Sequence, residues 1–306
     1  MSKISRREWG KLSLSSVAGI LLAPSVSCLP MANTAKTNKV IIGAQTYSFR
    51  DRDLDATIKA MQELGMKSCE LWVGHVEPRE FMWKRNATPE ERKKSAEGLK
   101  QWRATVTMDK IEAIGKKIRD AGITIQAYNG TFNKNNSEQE TELVFKIAQA
   151  LGTDTITTST TVDQMARIDR FAQQYKIKVG MHNHAHVEDP NQFATPESFK
   201  RGMEGKSEFI RINLDIGHFT GANYDPVAFI KEHHEKIVCI HLKDRKKNQG
   251  PVVPFGEGDT PIVEVLQLIR DKGWPIPCNI EYEYNGADTV AEIKKCMEYA
   301  KKALKA

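Results

Sequence analysis

From residue 40 onward the chain alternates short β-like runs with amphipathic helical runs, eight times over. The strand-like runs are 40–46 (VIIGAQT), 67–72 (KSCELW), 123–128 (ITIQAY), 153–158 (TDTITT), 177–183 (IKVGMHN), 210–215 (IRINLD), 236–242 (KIVCIHL) and 276–283 (IPCNIEYE). Helical spacing joins Ile58, Met61 and Leu64 over 55–64, and Ile111, Ile114 and Ile118 over 107–121. Further helices are expected over 137–151, 163–175, 196–203, 226–234, 260–272 and 288–304. Gly65, Gly122, Gly152 and Gly273 stand where helices must stop before the next strand, the usual place of a left-handed cap. Eight βα units in roughly 265 residues predict an α/β fold of the (βα)8 TIM-barrel type. A doubly wound sheet is the competitor, but it wants a Gly-rich phosphate turn after strand one. That place holds QTYSFR (45–50) instead. The stretch 73–106 is read as an extended loop over the active-site face, with a short helix near 88–100.

The first 27 residues read as an address. Arg6-Arg7 followed by the apolar run Leu12 to Ala23 resembles a twin-arginine export signal. The run is too short to span a bilayer as a helix. The expected organisation is therefore a signal peptide over 1–27, a linker over 28–39 and a single TIM-barrel domain over 40–306, in an exported, periplasmic protein. Cys28 offers a site for lipid anchoring, although Ser25 stands where lipoprotein signals prefer Leu or Val. The five cysteines contain no CxxC pair and read as small buried hydrophobes.

The formal charge of +6 raises the question of a nucleic-acid partner. Four of the 45 bases and one of the 39 acids lie in residues 1–27, which leaves 41 bases against 38 acids. That near balance argues against nucleic acid, and the short basic runs, 243–247 among them, read as solvated faces.

Alternate side chains of a barrel strand point inward. On that rule the ends of strands five to eight bring His182, Asp215, His241 and Glu281 toward one point, since adjacent strands lie about 4.8 Å apart. His184 and His186 share the face of His182. Two imidazoles and two carboxylates suit one divalent ion, Mn²⁺ first, with Zn²⁺, Co²⁺ or Fe²⁺ as alternatives. A salt-bridged polar barrel floor without an ion is the plainer alternative, and a costly one.

The stretches LDIGH (214–218), IHLKD (240–244), FGEGD (255–259) and NIEYE (279–283) resemble the xylose isomerase-like sugar phosphate isomerase/epimerase family. The resemblance covers roughly residues 40–304. It implies that Asp215, His241 and Glu281 bind one divalent metal, that His218 contacts substrate, and that Lys243 and Glu257 line the pocket. Epimerases of that family usually carry Glu at the strand-five ligand position. Here the stretch is His182-Asn183-His184, so His182 takes the ligand place and His184 is a second candidate ligand or a base.

The expected chemistry is proton abstraction next to a sugar carbonyl, with the ion as Lewis acid toward the resulting enediolate. Glu281 is ligand and candidate base, His184 or His218 handles the second proton, and Lys243 offsets developing charge. The plainer reading of Lys243 is a rim lysine paired with Asp244. Glu70 and Trp72 are expected to hold sugar hydroxyls and apolar sugar faces, with Tyr47 and Gln126 as weaker candidates. An exported enzyme without a phosphate cradle is expected to take a non-phosphorylated carbohydrate, as a monomer or homo-oligomer with no transmembrane span in the mature protein. With His at strand five, elimination or hydration at a keto-sugar or keto-glycoside fits as well as epimerisation. A non-catalytic sugar-binding barrel, a DNA-repair endonuclease and a glycosidase are the rivals. The endonuclease needs further ligands and a basic groove. The glycosidase needs two carboxylates across a cleft, and Glu281 and Glu283 share one strand.

Overall fold

A computed structural model describes residues 39–82, 86–286 and 288–306. The expected export signal, most of the linker and Cys28 lie outside the described residues.

Eight parallel strands close into a barrel. They are β1 (Ile42–Gln45), β2 (Ser68–Trp72), β3 (Thr124–Asn129), β4 (Thr155–Thr158), β5 (Lys178–His182), β6 (Ile210–Asp215), β7 (Ile237–Leu242) and β10 (Cys278–Ile280). Each expected strand run matches one of them, β3 running one residue past its expected end, to Asn129. The two intervening strands, β8 (Asp244–Arg245) and β9 (Val252–Val253), form a small antiparallel ribbon just beyond β7. Strand β10 closes the ring between β1 and β7.

The helices in chain order are α1 (Leu54–Glu63), α2 (Pro89–Thr105), α3 (Met108–Asp120), α4 (Glu138–Leu151), α5 (Met165–Tyr175), α6 (Pro196–Met203), α7 (Ile216–Gly221), α8 (Pro226–His233), α9 (Ile262–Lys272) and α10 (Thr289–Ala303). Their apolar stripes are what hold them to the barrel. Ile111 and Ile118 of α3, and Phe145 and Leu151 of α4, are fully buried. Burial of each such side chain contributes roughly 1.5–3 kcal/mol. Gly65, Gly122, Gly152 and Gly273 all adopt positive φ at the expected stops.

The ribbon strands β8 and β9 match no expected run, and two helices also differ from expectation. Helix α2 runs on to Thr105 rather than ending near 100, capped by a reciprocal Thr88–Glu91 pair and held by Arg103, which donates twice to Glu77 at 2.8 and 3.1 Å. Helix α7 was not expected at all. At six residues it is too short to show a period, and it forms because the Asp215 carboxylate caps it, accepting from the His218 amide at 2.7 Å. Cys69, Cys239, Cys278 and Cys296 are buried free thiols, as expected of small apolar side chains.

The polar pattern of buried histidines has a consequence for stability. Burial lowers His75, on the turn after β2, and His184, after β5, to about 4. The unfolded chain therefore takes up protons below about pH 6.5 that these two folded groups refuse. Each is expected to remove about 1.4 kcal/mol of stability per pH unit as pH falls from 6.5 toward 4. Denaturant unfolding at pH 7, 6 and 5 measures this; an unchanged or rising stability contradicts it.

Candidate active site

A cavity of about 400 Å³ opens at the C-terminal ends of the barrel strands. Gln45, Tyr47, Trp72, Asn129, Ser159, His182, His184, His218, His241, Lys243, Glu281 and Glu283 line it. The ligand-type atoms of His182, Asp215, His241 and Glu281 all lie within 4.8 Å of one another.

Register explains the convergence. Asp215 pairs with His241 across β6 and β7, and Asn279 pairs with His241 across β10 and β7, placing Glu281 one step beyond. Asn183, following His182, locks β5 to β6 through both groups of its amide. Its Nδ2 donates to the Asp215 carbonyl at 3.1 Å and its Oδ1 accepts from the Asp215 amide at 2.9 Å. Asp215 spends Oδ1 on capping α7, which leaves Oδ2 for the cavity side.

The electrostatics follow from burial and charge. Burial, then the neighbouring His241 and His184, keep His182 well below the usual imidazole range and hence neutral. Its Nδ1 is buried with no hydrogen-bond partner among the described residues. Burial also opposes a charge on His241, but the Glu70 and Glu281 carboxylates overcome this and hold it well above. Burial pushes the Asp215 carboxyl up, with the Lys243 charge as partial offset. For Glu281 burial is outweighed by Lys243 and His241, and its carboxyl stays well below the ordinary range.

Lys243 is only 1% exposed and lies 2.9 Å from Asp215 Oδ2, 3.0 Å from Glu281 Oε2 and 2.6 Å from Glu283 Oε2. Of the run 243–247, Lys246 and Lys247 are exposed as expected of a solvated face, but Lys243 is buried and does not pair with Asp244 at the rim. Asp244 instead accepts from the amides of Gly256, Gly258 and Thr260, which pins the FGEGD loop. A Cβ on Gly258 would lie 1.8 Å from Asp244 Oδ1, so this position requires glycine.

The structure seats Glu70 below the cavity rather than on its wall, fully buried. It was expected to touch sugar hydroxyls. Its carboxylate instead accepts from Thr157 Oγ1 at 2.6 Å, Asn279 Nδ2 at 3.2 Å and Gln45 Nε2 at 3.3 Å, and meets His241 Nε2 at 2.7 Å. Strand β2 carries a register shift between Cys69 and Glu70, which alternation alone does not reveal. The other nitrogen of His241, Nδ1, faces Glu281 Oε2 at 2.9 Å. Such a carboxylate–imidazole pair fixes ring orientation for whatever binds the second nitrogen. Glu70→Gln is expected to weaken divalent-ion affinity about 10–100-fold. Titration with Mn²⁺ against a chelator measures it; unchanged affinity contradicts the role.

Trp72 and Tyr47 do face the cavity, their rings edge-to-face at 5.1 Å. Gly74 makes room for the indole, since a Cβ there would lie 2.4 Å from it. His184 stands over His182, ring centroids 5.0 Å apart, with no hydrogen bond to its ring among the described residues. His186 continues outward to an exposed pairing with Glu188. Glu257 is exposed and outside the cavity lining. Gln126 is at the opposite end of the barrel, in a separate cavity with Lys39 and Thr124.

A family model for the xylose isomerase-like TIM barrel matches residues 58–303. The chain belongs to that family. Among its curated relatives, the L-ribulose-5-phosphate 3-epimerase UlaE of Escherichia coli is 28% identical over 88 residues, 28% of this chain and 31% of that enzyme. The chain's matches span less than half the length of its curated relatives. The 3-keto-D-glucoside 4-epimerase YcjR of Escherichia coli superposes with a TM-score of 0.62 at 11% identity, covering 86% of this chain and 100% of that one. The zinc-bound IolI protein superposes with a TM-score of 0.63 at 12% identity, covering 87% and 98%. At those identities the superpositions establish a shared barrel. No described helix of this family member is long and apolar enough to cross a membrane.

Proposed function

We propose that the protein is a divalent-metal-dependent sugar isomerase or epimerase that abstracts a proton next to a carbonyl of a non-phosphorylated sugar. The convergence of His182, Asp215, His241 and Glu281 at the barrel mouth carries this reading. The donor set fits a borderline dication, and the unpartnered buried Nδ1 of His182 is a polar atom that calls for one. His182, Asp215, His241 and Glu281 would hold the ion, Mn²⁺ by preference, and when bound it supplies Lewis-acid polarisation of the carbonyl. IolI, with its bound zinc atom, and the epimerases UlaE and YcjR support the class.

The chain's own groups divide the remaining work. Glu281 Oε2 is the candidate base. His184, neutral at operating pH and with no hydrogen bond to its ring among the described residues, is the candidate to return or accept the second proton. Lys243 offsets negative charge developing on substrate oxygen. Trp72 and Tyr47 offer apolar surface to a sugar ring. Two carboxylates facing each other across the substrate would favour epimerisation. With His182 where relatives usually carry Glu, elimination across a keto-glycoside is the second reading. The protein acts after export, its signal spanning 1–27 and a linker 28–39.

Metal analysis tests the proposal. The mature protein is expected to hold one divalent ion per chain, to lose turnover on chelation and to regain it with Mn²⁺. A protein with no stoichiometric ion is a sugar-binding barrel, not this enzyme.

A further inference from the structure

His218 is wedged between two cations. Its Nδ1 lies 2.8 Å from Arg245 Nη1, and its Nε2 lies 3.0 Å from Lys243 Nζ. Two glycines four apart on α7 admit both neighbours. A Cβ on Gly217 would lie 2.7 Å from the Lys243 carbonyl oxygen and 2.8 Å from its Cβ, and one on Gly221 would lie 2.8 Å from both Cδ and Nε of Arg245. Arg245 is itself fixed, its Nε donating to the Gly250 carbonyl at 2.7 Å.

A neutral imidazole carries one N–H and one lone pair. A guanidinium never gives up its proton in a protein and offers donors only. Among the described residues Nη1 of Arg245 meets one acceptor, His218 Nδ1. Lys243 has no such need, because its three protons match the carboxylates of Asp215, Glu281 and Glu283. The lone pair therefore belongs on Nδ1 and the proton on Nε2.

We propose that Arg245 is a positioning residue that locks His218 as the Nε2–H tautomer, making His218 a donor into the cavity and not a base. Nε2–H of His218 then donates to the substrate oxygen on which negative charge develops, and the Lys243 charge, 3.0 Å from Nε2, stands beside it. This catalytic consequence rests on the proton-abstraction reading above; the tautomer does not. His184 is left as the imidazole able to accept a proton.

The test is ¹⁵N NMR of histidine-labelled full-length protein, with His218→Asn to assign the resonances. Wild type is expected to show a protonated Nε2 and an unprotonated Nδ1 for His218. Arg245→Met is expected to release the lock and give a mixed or Nδ1–H signature, with solvent-proton exchange into keto-sugars falling about 10²–10³-fold, the range for losing one preorganised donor. Arg245→Lys keeps a cationic donor and is expected to retain the Nε2–H signature. Should Arg245→Met fail to fold, Gly221→Ala displaces the guanidinium by contact and is expected to give the same spectral change. A wild-type His218 protonated on Nδ1, or an unchanged signature in a folded Arg245→Met, overturns the inference. Absence of exchange in wild type with the expected signature present instead overturns the proton-abstraction reading and leaves the tautomer lock standing.

Discussion

His241→Ala is expected to remove the bound ion and turnover together. Among the described residues His241 is the one side chain that touches both the buried Glu70 and the cavity-side Glu281, at 2.7 and 2.9 Å. Losing it deletes a ligand and frees the carboxylates that oriented it. A Lewis acid supplies several kcal/mol to the transition state, so turnover is expected to fall more than ~10³-fold. Glu70 and Glu281 would also be left buried beside no imidazole, which costs about 3–5 kcal/mol of stability. Ion content per folded chain and the melting curve read the two effects separately. Full occupancy in the variant contradicts the ligand assignment.

Lys243→Met is expected to lower stability as much as His241→Ala does. Three carboxylates, Asp215, Glu281 and Glu283, share its buried ammonium. Removing one partner of a buried ion cluster costs about 3–5 kcal/mol, because the remaining charges cannot be rehydrated. The sign with pH follows from Glu281, whose carboxyl lies below its ordinary range partly through Lys243. A depressed carboxylate contributes stability above its unfolded value and loses it as pH falls. The deficit of Lys243→Met should therefore be full at neutral pH and close in acid. Chemical unfolding of both proteins at pH 7 and pH 4 measures it, and a deficit that widens in acid contradicts the account.

The barrel was legible because each strand run is short and apolar, each main helix carries a 3.6-residue stripe, and glycines stand at four of the helix ends. The meeting of His182, Asp215, His241 and Glu281 was legible for the same reason, since inward alternation and parallel register leave little freedom at strand ends. What escaped was decided by contacts distant in sequence. Glu70 reads as a strand-end acid like the others, and only the β2 register shift and its partners on β1, β4, β7 and β10 place it beneath the cavity. Lys243 sits in a basic run and reads as solvated, yet three acids on other elements bury it. Arg245 did carry a signal, because 241, 243 and 245 alternate onto one face. Helix α7 is capped by a residue already assigned to the site, and its two glycines make sense only beside Lys243 and Arg245.

The central claim is proton abstraction next to a carbonyl, and solvent isotope exchange tests it most directly. The manganese-loaded protein is incubated in heavy water with a panel of non-phosphorylated sugars, keto-sugars and keto-glycosides. The account predicts deuterium at a carbon adjacent to the carbonyl of at least one compound, and none with His241→Ala. A protein that carries its ion in full and labels none of them would contradict it.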